Sequence, residues 1–171
     1  MMKTLWTPWR MEHVLDTAPR PHGCLFEPPG DKPFAGEHLL LYRDQLTVVL
    51  LNRFPYANGH LLVAPRRHLA DITELAGGEN SALMAMLQQC CTILRRRLRP
   101  DGINIGLNLG ETAGAGTPDH LHFHVVPRWD GDHNFMTVIA EIRTIPQHIR
   151  HTFEQLLPDF QELLSAENDH E

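Results

Sequence analysis

The most regular alternation of polar and apolar residues lies in the second half of the chain, in segments 103–109 and 120–129. Because successive side chains of a β-strand point to opposite faces, this period of two predicts two half-buried strands. A loop of mostly small residues, 110–119, joins the two segments. We therefore expect a hairpin that places Asn108 and His122 on the same open face of a sheet.

Three segments of the first half, 38–43, 46–52 and 60–65, are rich in leucine and valine and have the length of strands. The short connections between them predict antiparallel neighbours. We also expect a strand at 136–145 and a short helix near 10–15. The chain therefore supplies enough strands for one mainly antiparallel sheet.

Two segments carry the apolar repeat of three and four residues that is typical of an amphipathic helix. In the first, the repeat runs from Leu83 to Leu98, and arginines at its C-terminal end offset the helix dipole. We interpret these arginines as a solvated helix end. In the second, the repeat runs from Ile149 to Leu164. Pro158 interrupts it, and we expect a kink there or a split into two helices.

The chain length predicts a single domain that spans 1–171. With 171 residues, of which 42% are hydrophobic, the chain is long enough for one substantial core. Residues 1–36 are rich in proline, glycine and aromatic residues, which predicts an extended arm that wraps the domain or a partner subunit. The polar residues 166–171 predict a disordered tail.

Composition limits the partners and the compartment. The net charge of -6 argues against a nonspecific nucleic-acid surface. No apolar run approaches membrane-spanning length, and the first residues lack an apolar signal core. Three cysteines, two of them adjacent, do not provide a disulfide framework. We therefore expect a cytoplasmic protein that binds neither nucleic acid nor a membrane.

The histidines of segment 120–129 carry the candidate chemistry. His120, His122 and His124 alternate with apolar residues, so all three imidazoles are expected on one face. Imidazole is a common metal ligand, and it is also a nucleophile and a proton carrier near neutral pH. A third interpretation is a merely solvated strand face.

The loop before these histidines favours the nucleophile. Gly114, Ala115 and Gly116 let backbone N–H groups approach an oxyanion closely, and Thr117 adds a hydroxyl. A site that only binds a metal does not need such a loop. We therefore expect covalent catalysis on phosphorus.

Segment 120–126 matches the signature of the histidine triad (HIT) superfamily, His-x-His-x-His followed by apolar residues, at every position. Segments 5–10, 51–60 and 124–136 resemble the diadenosine tetraphosphate phosphorylase branch of that superfamily. The resemblance implies an α+β fold with a five-stranded antiparallel sheet flanked by helices. It also implies a homodimer or a larger homo-oligomer and an adenine nucleotide as substrate.

The resemblance also implies a role for each matching residue. His122 is the nucleophile that forms a nucleotidyl-histidine, His124 donates to phosphate oxygens, and His60 supports the triad. Thr117 lies where relatives often carry a serine that helps the leaving group acquire a proton. The implied nucleotide-binding positions are Asn52 at the ribose and His124, Asn108, Gly114, Ala115, Gly116 and Thr117 at the phosphates, with His120 completing the triad.

A metal site is the point at which this chain departs from many relatives. Those relatives bind zinc through Cys-x-x-Cys and two histidines, whereas Glu27 replaces the second cysteine here. Cys24, Glu27, His68 and His120 would supply one sulfur, one oxygen and two nitrogens, a set that suits structural zinc. The alternative is that zinc is lost and Cys24 is a buried thiol.

Several functions stay open from sequence alone. A polyphosphate leaves as a weak base, so the absence of an obvious carboxylate acid favours polyphosphate substrates over phosphoramidates. The second-step acceptor is either water or orthophosphate, and no cofactor is required for the chemistry. The alternatives are a nucleoside phosphoramidase, a nucleotide-binding regulatory module with little turnover, and a metal enzyme that uses all three histidines as ligands.

Overall fold

The computed structural model describes residues 23–132 and 147–168. The expected helix near 10–15 and the expected strand at 136–145 lie outside these residues, as do most of the predicted arm and residues 169–171 of the predicted tail. Neither α-helix in the described ranges is long and apolar enough to cross a membrane.

Five strands form one antiparallel sheet with the order β1-β2-β3-β5-β4. Their bounds are β1 Leu40–Arg43, β2 Thr47–Leu51, β3 Leu61–Pro65, β4 Gly102–Leu107 and β5 Phe123–Arg128. The first three strands follow one another through short turns, and β4 and β5 form the hairpin expected from their alternation. The hairpin joins the sheet through β5, so the histidine strand has β3 on one side and β4 on the other.

Two α-helices pack on one face of this sheet: α1, Gly77–Leu98, and α2, Ile149–Asn168. Their apolar stripes meet the side chains of β1, β2, β3 and β5 in a single core. With an antiparallel sheet and separate helices, the expected α+β class and five-stranded topology are confirmed. Because α2 continues to Asn168, residues 166–168 of the predicted tail belong to a helix.

Pro158 lies within α2, which continues past it as one helix, so of the expected kink or split the split does not occur. An interior proline costs about 3 kcal/mol because it removes a backbone hydrogen bond and crowds the preceding turn. Around it, Phe153, Leu156 and Phe160 are buried against the sheet and α1. Each such side chain contributes about 1.5–3 kcal/mol on burial, so packing outweighs the defect.

The arginines at the end of α1 are not simply a solvated helix end. Arg96 and Arg97 both form ion pairs with Asp159 of α2, whose side chain is fully buried. Only tertiary structure brings this carboxylate to the arginines, since it lies more than sixty residues away in sequence.

The opposite face of the sheet is covered by the segment before β1. Phe26 is buried there among Leu40, Leu50 and Leu62 of the sheet. The buried Arg43 side chain donates hydrogen bonds to three carbonyl groups of this segment, those of Pro28, Gly30 and Lys32. These hydrogen bonds and the packing of Phe26 hold the segment on the face of the sheet that lies next to the histidines.

Candidate active site

His120, His122 and His124 do not share one open strand face. β5 begins at Phe123, so His120 and His122 belong to the segment that leads into the strand. His120 and His122 are buried, whereas His124 is partly exposed. The rings of His122 and His124 lie edge to face with centroids 5.0 Å apart, while the ring of His120 lies 4.8 Å from that of His68. The structure thus separates one pair of rings from the third.

A backbone hydrogen bond determines which nitrogen of His122 carries the proton. Its Nδ1 lies 2.8 Å from the carbonyl oxygen of His120. A carbonyl only accepts, so Nδ1 must donate, and in the neutral ring the lone pair is on Nε2. Burial lowers the pKa of His122 and outweighs the opposite effect of this hydrogen bond. The ring is therefore neutral at pH 7, with Nε2 as its nucleophilic atom.

The rings of His124 and His60 form a second pair, and the donor of the hydrogen bond between them can be identified. His60 Nδ1 accepts from the backbone N–H of Tyr56 at 3.1 Å and lies 3.2 Å from the side-chain amide of Asn52. In the neutral ring the proton is then on His60 Nε2, which lies 2.9 Å from Nδ1 of His124. His60 therefore donates to His124, and the proton of neutral His124 is on Nε2.

The loop between β2 and β3 holds this pair in place. The Asn52 side chain accepts from the N–H of Phe54 at 2.9 Å, and its amide contacts His60. The ring of Tyr56 stacks on that of His60 with centroids 4.8 Å apart and lies 5.8 Å from that of His124. Sequence reasoning placed Asn52 at a ribose and did not select Tyr56. The available signal for Tyr56 was its position in the loop between β2 and β3 that leads to His60.

The loop before the histidines lies at the same end of the hairpin as His122. Leu107 pairs with Phe123, so Asn108 and His122 each lie one residue beyond the last pair. The Asn108 amide donates to the carbonyl of Gly114 at 3.3 Å and closes the loop.

Two backbone N–H groups of the loop that we expected to bind an oxyanion already donate hydrogen bonds within the loop. The N–H of Gly114 donates to Glu111, and that of Ala115 donates to Gly110. Gly110 and Gly114 both have positive φ, which turns the loop around a short 3-10 helix, Glu111–Ala113. Gly116, which is exposed, and Thr117, which is half-buried, follow in the part of the loop that leads to His120.

Cys24, His68 and His120 bring three donor atoms within 4.8 Å of one another. His120 Nε2 donates to the carbonyl of Pro65 at 2.9 Å, so the lone pair of its neutral ring is on Nδ1, 3.1 Å from the Cys24 sulfur. Burial raises the pKa of the Cys24 thiol, so an ionised sulfur here requires a cation. The donor set fits zinc.

Glu27, the fourth expected ligand, lies beside this cluster and not within it. Its carboxylate contacts the ring of His68, with Oε1 3.3 Å from Nδ1. Phe26, one residue earlier, contacts the rings of both His120 and His122 with centroid separations of 4.9 and 5.0 Å. The segment that contains Cys24 and Phe26 therefore contacts both the cluster of possible metal ligands and the candidate nucleophile, His122.

A cavity of about 460 Å³ adjoins the β2–β3 loop on the side of α2. Its lining includes Asn52, which also contacts His60, together with Arg53 and residues at the start of α2. Its full lining is Leu51, Asn52, Arg53, Pro55, Asn58, Gly59, Gln147, His148, Ile149 and Thr152.

The histidine triad and the antiparallel sheet that presents it define a class of protein, and comparison with known proteins agrees. The HIT domain matches residues 36–131, more than half of the chain. The chain therefore belongs to the HIT family.

The similarity extends beyond the domain. The chain is 38% identical over 157 residues to the AP-4-A phosphorylase of Mycobacterium tuberculosis, which covers 88% of this chain and 80% of that protein. Bis(5'-adenosyl)-triphosphatase of Dictyostelium discoideum is 29% identical over 52% of this chain and 59% of that protein. These matches confirm the resemblance to the phosphorylase branch and show that the chain is a HIT-type enzyme.

A solved structure supports the same assignment. A Zn-bound histidine triad family protein from Mycobacterium smegmatis superposes with a TM-score of 0.60 at 31% identity, covering 75% of this chain and 87% of that chain. The bound zinc belongs to that protein. It agrees with the cysteine and histidine cluster found here, which makes a structural zinc site chemically reasonable.

Proposed function

We propose that this enzyme cleaves dinucleoside polyphosphates of the diadenosine tetraphosphate type at the α-phosphate, through a covalent nucleotidyl-histidine on His122. The observation that carries the proposal is the hydrogen bond from His122 Nδ1 to the backbone carbonyl of His120. It leaves Nε2 of a neutral, buried imidazole as the nucleophile. The activities named for the bacterial and Dictyostelium relatives support this class of substrate.

The reaction proceeds in two displacements. His122 Nε2 attacks the α-phosphorus, a nitrogen–phosphorus bond forms, and the bridging oxygen leaves with its electron pair on the polyphosphate product. Orthophosphate or water then attacks the same phosphorus, and the bond to nitrogen breaks. The imidazole regains its lone pair, and the acceptor loses its proton to solvent. Neutral imidazole suits both steps because it is a good nucleophile and a competent leaving group.

His124 is proposed to stabilise the phosphoryl oxygens during both displacements. Its Nε2–H donor is set by the hydrogen bond from His60, whose own ring is set by the N–H of Tyr56. Preorganised donors of this kind stabilise developing charge without reorganising during the reaction. His60 thus acts on the substrate only through His124.

The remaining substrate contacts are proposed from the resemblance. Asn108, Gly116 and Thr117 would contact phosphate oxygens, and the Thr117 hydroxyl would help the leaving group acquire a proton. Gly114 and Ala115 would join them only if their internal hydrogen bonds open. Asn52 would contact the ribose through the amide that also contacts His60, so substrate position and ring orientation would be linked at one side chain.

Cys24, His68 and His120 are proposed to hold a structural zinc, with Glu27 as a neighbour of His68. The metal would cross-link the segment before β1 to the residues that follow β3 and precede β5. Hydrogen bonds within the chain already orient the rings of His122 and His124. The proposed role of the metal cluster is therefore to hold the backbone around His120.

We also propose a cytoplasmic homodimer or larger homo-oligomer. β4 is an edge strand and exposes Ile105. An exposed apolar edge strand is a favourable surface for pairing with a second copy. Light scattering coupled to gel filtration tests the oligomer, and a monomer at micromolar concentration would contradict it.

The deciding experiment is product analysis with diadenosine tetraphosphate in the presence and absence of orthophosphate. ADP and ATP that appear only with phosphate identify a phosphorylase, whereas AMP and ATP without phosphate identify a hydrolase. His122→Ala should reduce turnover by about a millionfold, in line with loss of a covalent nucleophile, while nucleotide binding persists. His151→Ala, which changes an exposed histidine of α2, serves as the matched control. A His122→Ala protein with wild-type turnover would reject the mechanism.

A further inference from the structure

We propose that Asn58, Gln147 and Thr152 form a positioning site for the catalytic imidazole of His124. These three residues and Gln155 are called the amide cluster below. The inference rests on the proposed function, since it assumes that His124 acts on phosphate. It assigns part of the machinery to α2, which carries none of the residues expected at the site.

The amide cluster fixes the loop between β2 and β3 at a point two residues before His60. The Asn58 amide donates to the Gln147 oxygen at 2.7 Å, and the Thr152 hydroxyl lies 2.8 Å from the Asn58 oxygen. Both ends of the Asn58 side chain are thus held. The Thr152 hydroxyl has a single proton, and its shorter contact is to Asn58, since the Gln147 oxygen is 3.1 Å away.

The same network reaches the end of α1. The Gln147 amide donates to Gln155 at 3.0 Å, and the Gln155 amide donates to the carbonyl of Arg97 at 3.0 Å. The loop is therefore connected to both helices by a continuous series of hydrogen bonds. Gly59 packs directly against this helix end, because a Cβ built on it would meet Leu98 at 2.3 Å.

The position of the loop matters because it determines the orientation of two rings. The backbone of Tyr56 donates to His60 Nδ1, and His60 Nε2 donates to His124. If the loop shifts by a fraction of an ångström, the first hydrogen bond lengthens, and the His60 tautomer is then held only by the 3.2 Å contact of Nδ1 with the Asn52 amide. Small displacements of this kind reduce rates strongly when a donor must meet a transition state.

Thr152 is the residue that a packing role explains least. Its side chain is buried with 1% exposure on α2, whose other buried side chains are apolar except for Asp159, which is paired with arginines of α1. Burial of a hydroxyl costs free energy unless it is hydrogen-bonded, and valine would fill the same volume without that requirement. A hydroxyl at this position is accounted for by its bond to Asn58.

The test compares Thr152→Val with Thr47→Val. Thr47 is also 1% exposed, and its hydroxyl bonds Asp44 at the turn between β1 and β2, away from the β2–β3 loop. We expect Thr152→Val to lower kcat for diadenosine tetraphosphate about tenfold with little change in KM, because the donor and not the binding surface is disturbed. Thr47→Val should retain wild-type kcat, and Thr152→Ser should restore it.

A second measurement does not depend on turnover. Imidazole 15N chemical shifts report the tautomer of each ring, and wild type should show Nε2–H for His60 and His124 and Nδ1–H for His122. Thr152→Val should move the His60 and His124 shifts toward a tautomer mixture, and Asn58→Ala should do the same without altering α2. Thr47→Val should leave the shifts unchanged.

The outcomes separate this inference from the proposed function. Wild-type ring shifts and kcat in Thr152→Val and Asn58→Ala would overturn the positioning role, as would an equal loss in Thr47→Val. If the wild-type enzyme does not cleave the substrate, the proposed function fails. The ring shifts then still support the positioning role if they move in the two cluster variants, and overturn it if they do not.

Discussion

The three histidines of the motif have three different hydrogen-bond partners, which leave the N–H on Nε2 in His120 and His124 and on Nδ1 in His122. The carbonyl of Pro65 leaves the lone pair of His120 on Nδ1, whereas the carbonyl of His120 leaves that of His122 on Nε2. His124 takes its orientation from another side chain, His60. One ring can thus face a cation, one can attack phosphorus and one can donate to oxygen, although all three have the same chemistry in isolation.

Gly59 shows how strictly a single residue is constrained beside this site. Its φ is +75°, and a Cβ there would meet the Leu98 side chain at 2.3 Å. We expect Gly59→Ala to destabilise the protein by about 1–3 kcal/mol, through backbone strain and overpacking together. Urea unfolding followed by circular dichroism measures the change. Gly77→Ala, at a position with open space, should have wild-type stability, and equal midpoints for the two variants would contradict the argument.

At the scale of elements, α1 and α2 are joined and anchored by charged groups that sequence periodicity does not reveal. The buried carboxylate of Asp159 in α2 pairs with Arg96 and Arg97 of α1, whose own side chains are exposed. At the other end of α1, the carboxylate of Glu79 accepts two hydrogen bonds from Arg67, each 2.8 Å long, and one from the N–H of Ala76. The second set caps the helix and links it to the segment after β3.

The Glu79 contacts predict a pH dependence of stability. The Arg67 guanidinium and then the Ala76 N–H lower the pKa of Glu79 from 4.5 to about 2. A carboxylate with a lowered folded-state pKa stabilises the protein above its unfolded pKa, and this contribution disappears as pH falls through the folded pKa. Glu79→Gln should therefore lower the urea midpoint at pH 7, and the difference from wild type should shrink between pH 4.5 and 2.

Glu74→Gln provides the control for this experiment. Glu74 is exposed, and the group that accepts from Arg67 is its backbone carbonyl. Its substitution should leave the midpoint unchanged at both pH values. A Glu79→Gln difference that grows as pH falls would be inconsistent with the ion pair as its source.

At the scale of the whole molecule, both faces of the β1–β3 part of the sheet are covered, and His120 and His122 contact the segment that covers the second face. The helices cover one face, and the segment that contains Cys24 and Phe26 covers the other. Phe26 touches the rings of His120 and His122, so the position of this segment affects the proposed nucleophile, His122, directly. Any cation held by Cys24 would stabilise the covering of the second face.

The donor cluster predicts about one zinc per chain in the purified protein, since one sulfur and two nitrogens converge. Elemental analysis measures the content, and thermal unfolding measures its effect. Removal of the metal by chelation should lower Tm, because a bound cation stabilises only the folded state. Cys24→Ser should lose the metal, whereas Cys91→Ser, at a half-buried cysteine of α1, should retain it. A wild-type metal content near zero would exclude the site.

The sequence alone determined the five strands and two α-helices of the described residues and the identity of the histidine motif, because these depend on local periodicity and on residue type. The alternation in segments 103–109 and 120–129 predicted the hairpin of β4 and β5, although β4 is more exposed than the half-buried strand we expected, and the apolar repeats of α1 and α2 required a sheet to pack against. The histidines and the glycine-rich loop also indicated covalent chemistry on phosphorus, and the resemblance to the histidine triad superfamily added the nucleotide.

Only the tertiary structure decided which nitrogen of each ring carries the proton. The proton position on each imidazole depends on a carbonyl or a side chain that is distant in sequence, as for His120 with Pro65 and His124 with His60. Tertiary packing also explains three other features: the uninterrupted α2 across Pro158, the pairing of Arg97 with Asp159, and the bond between Asn58 and Thr152. Each depends on groups brought together by packing, and the free energy of such contacts is absent from any local pattern in the chain.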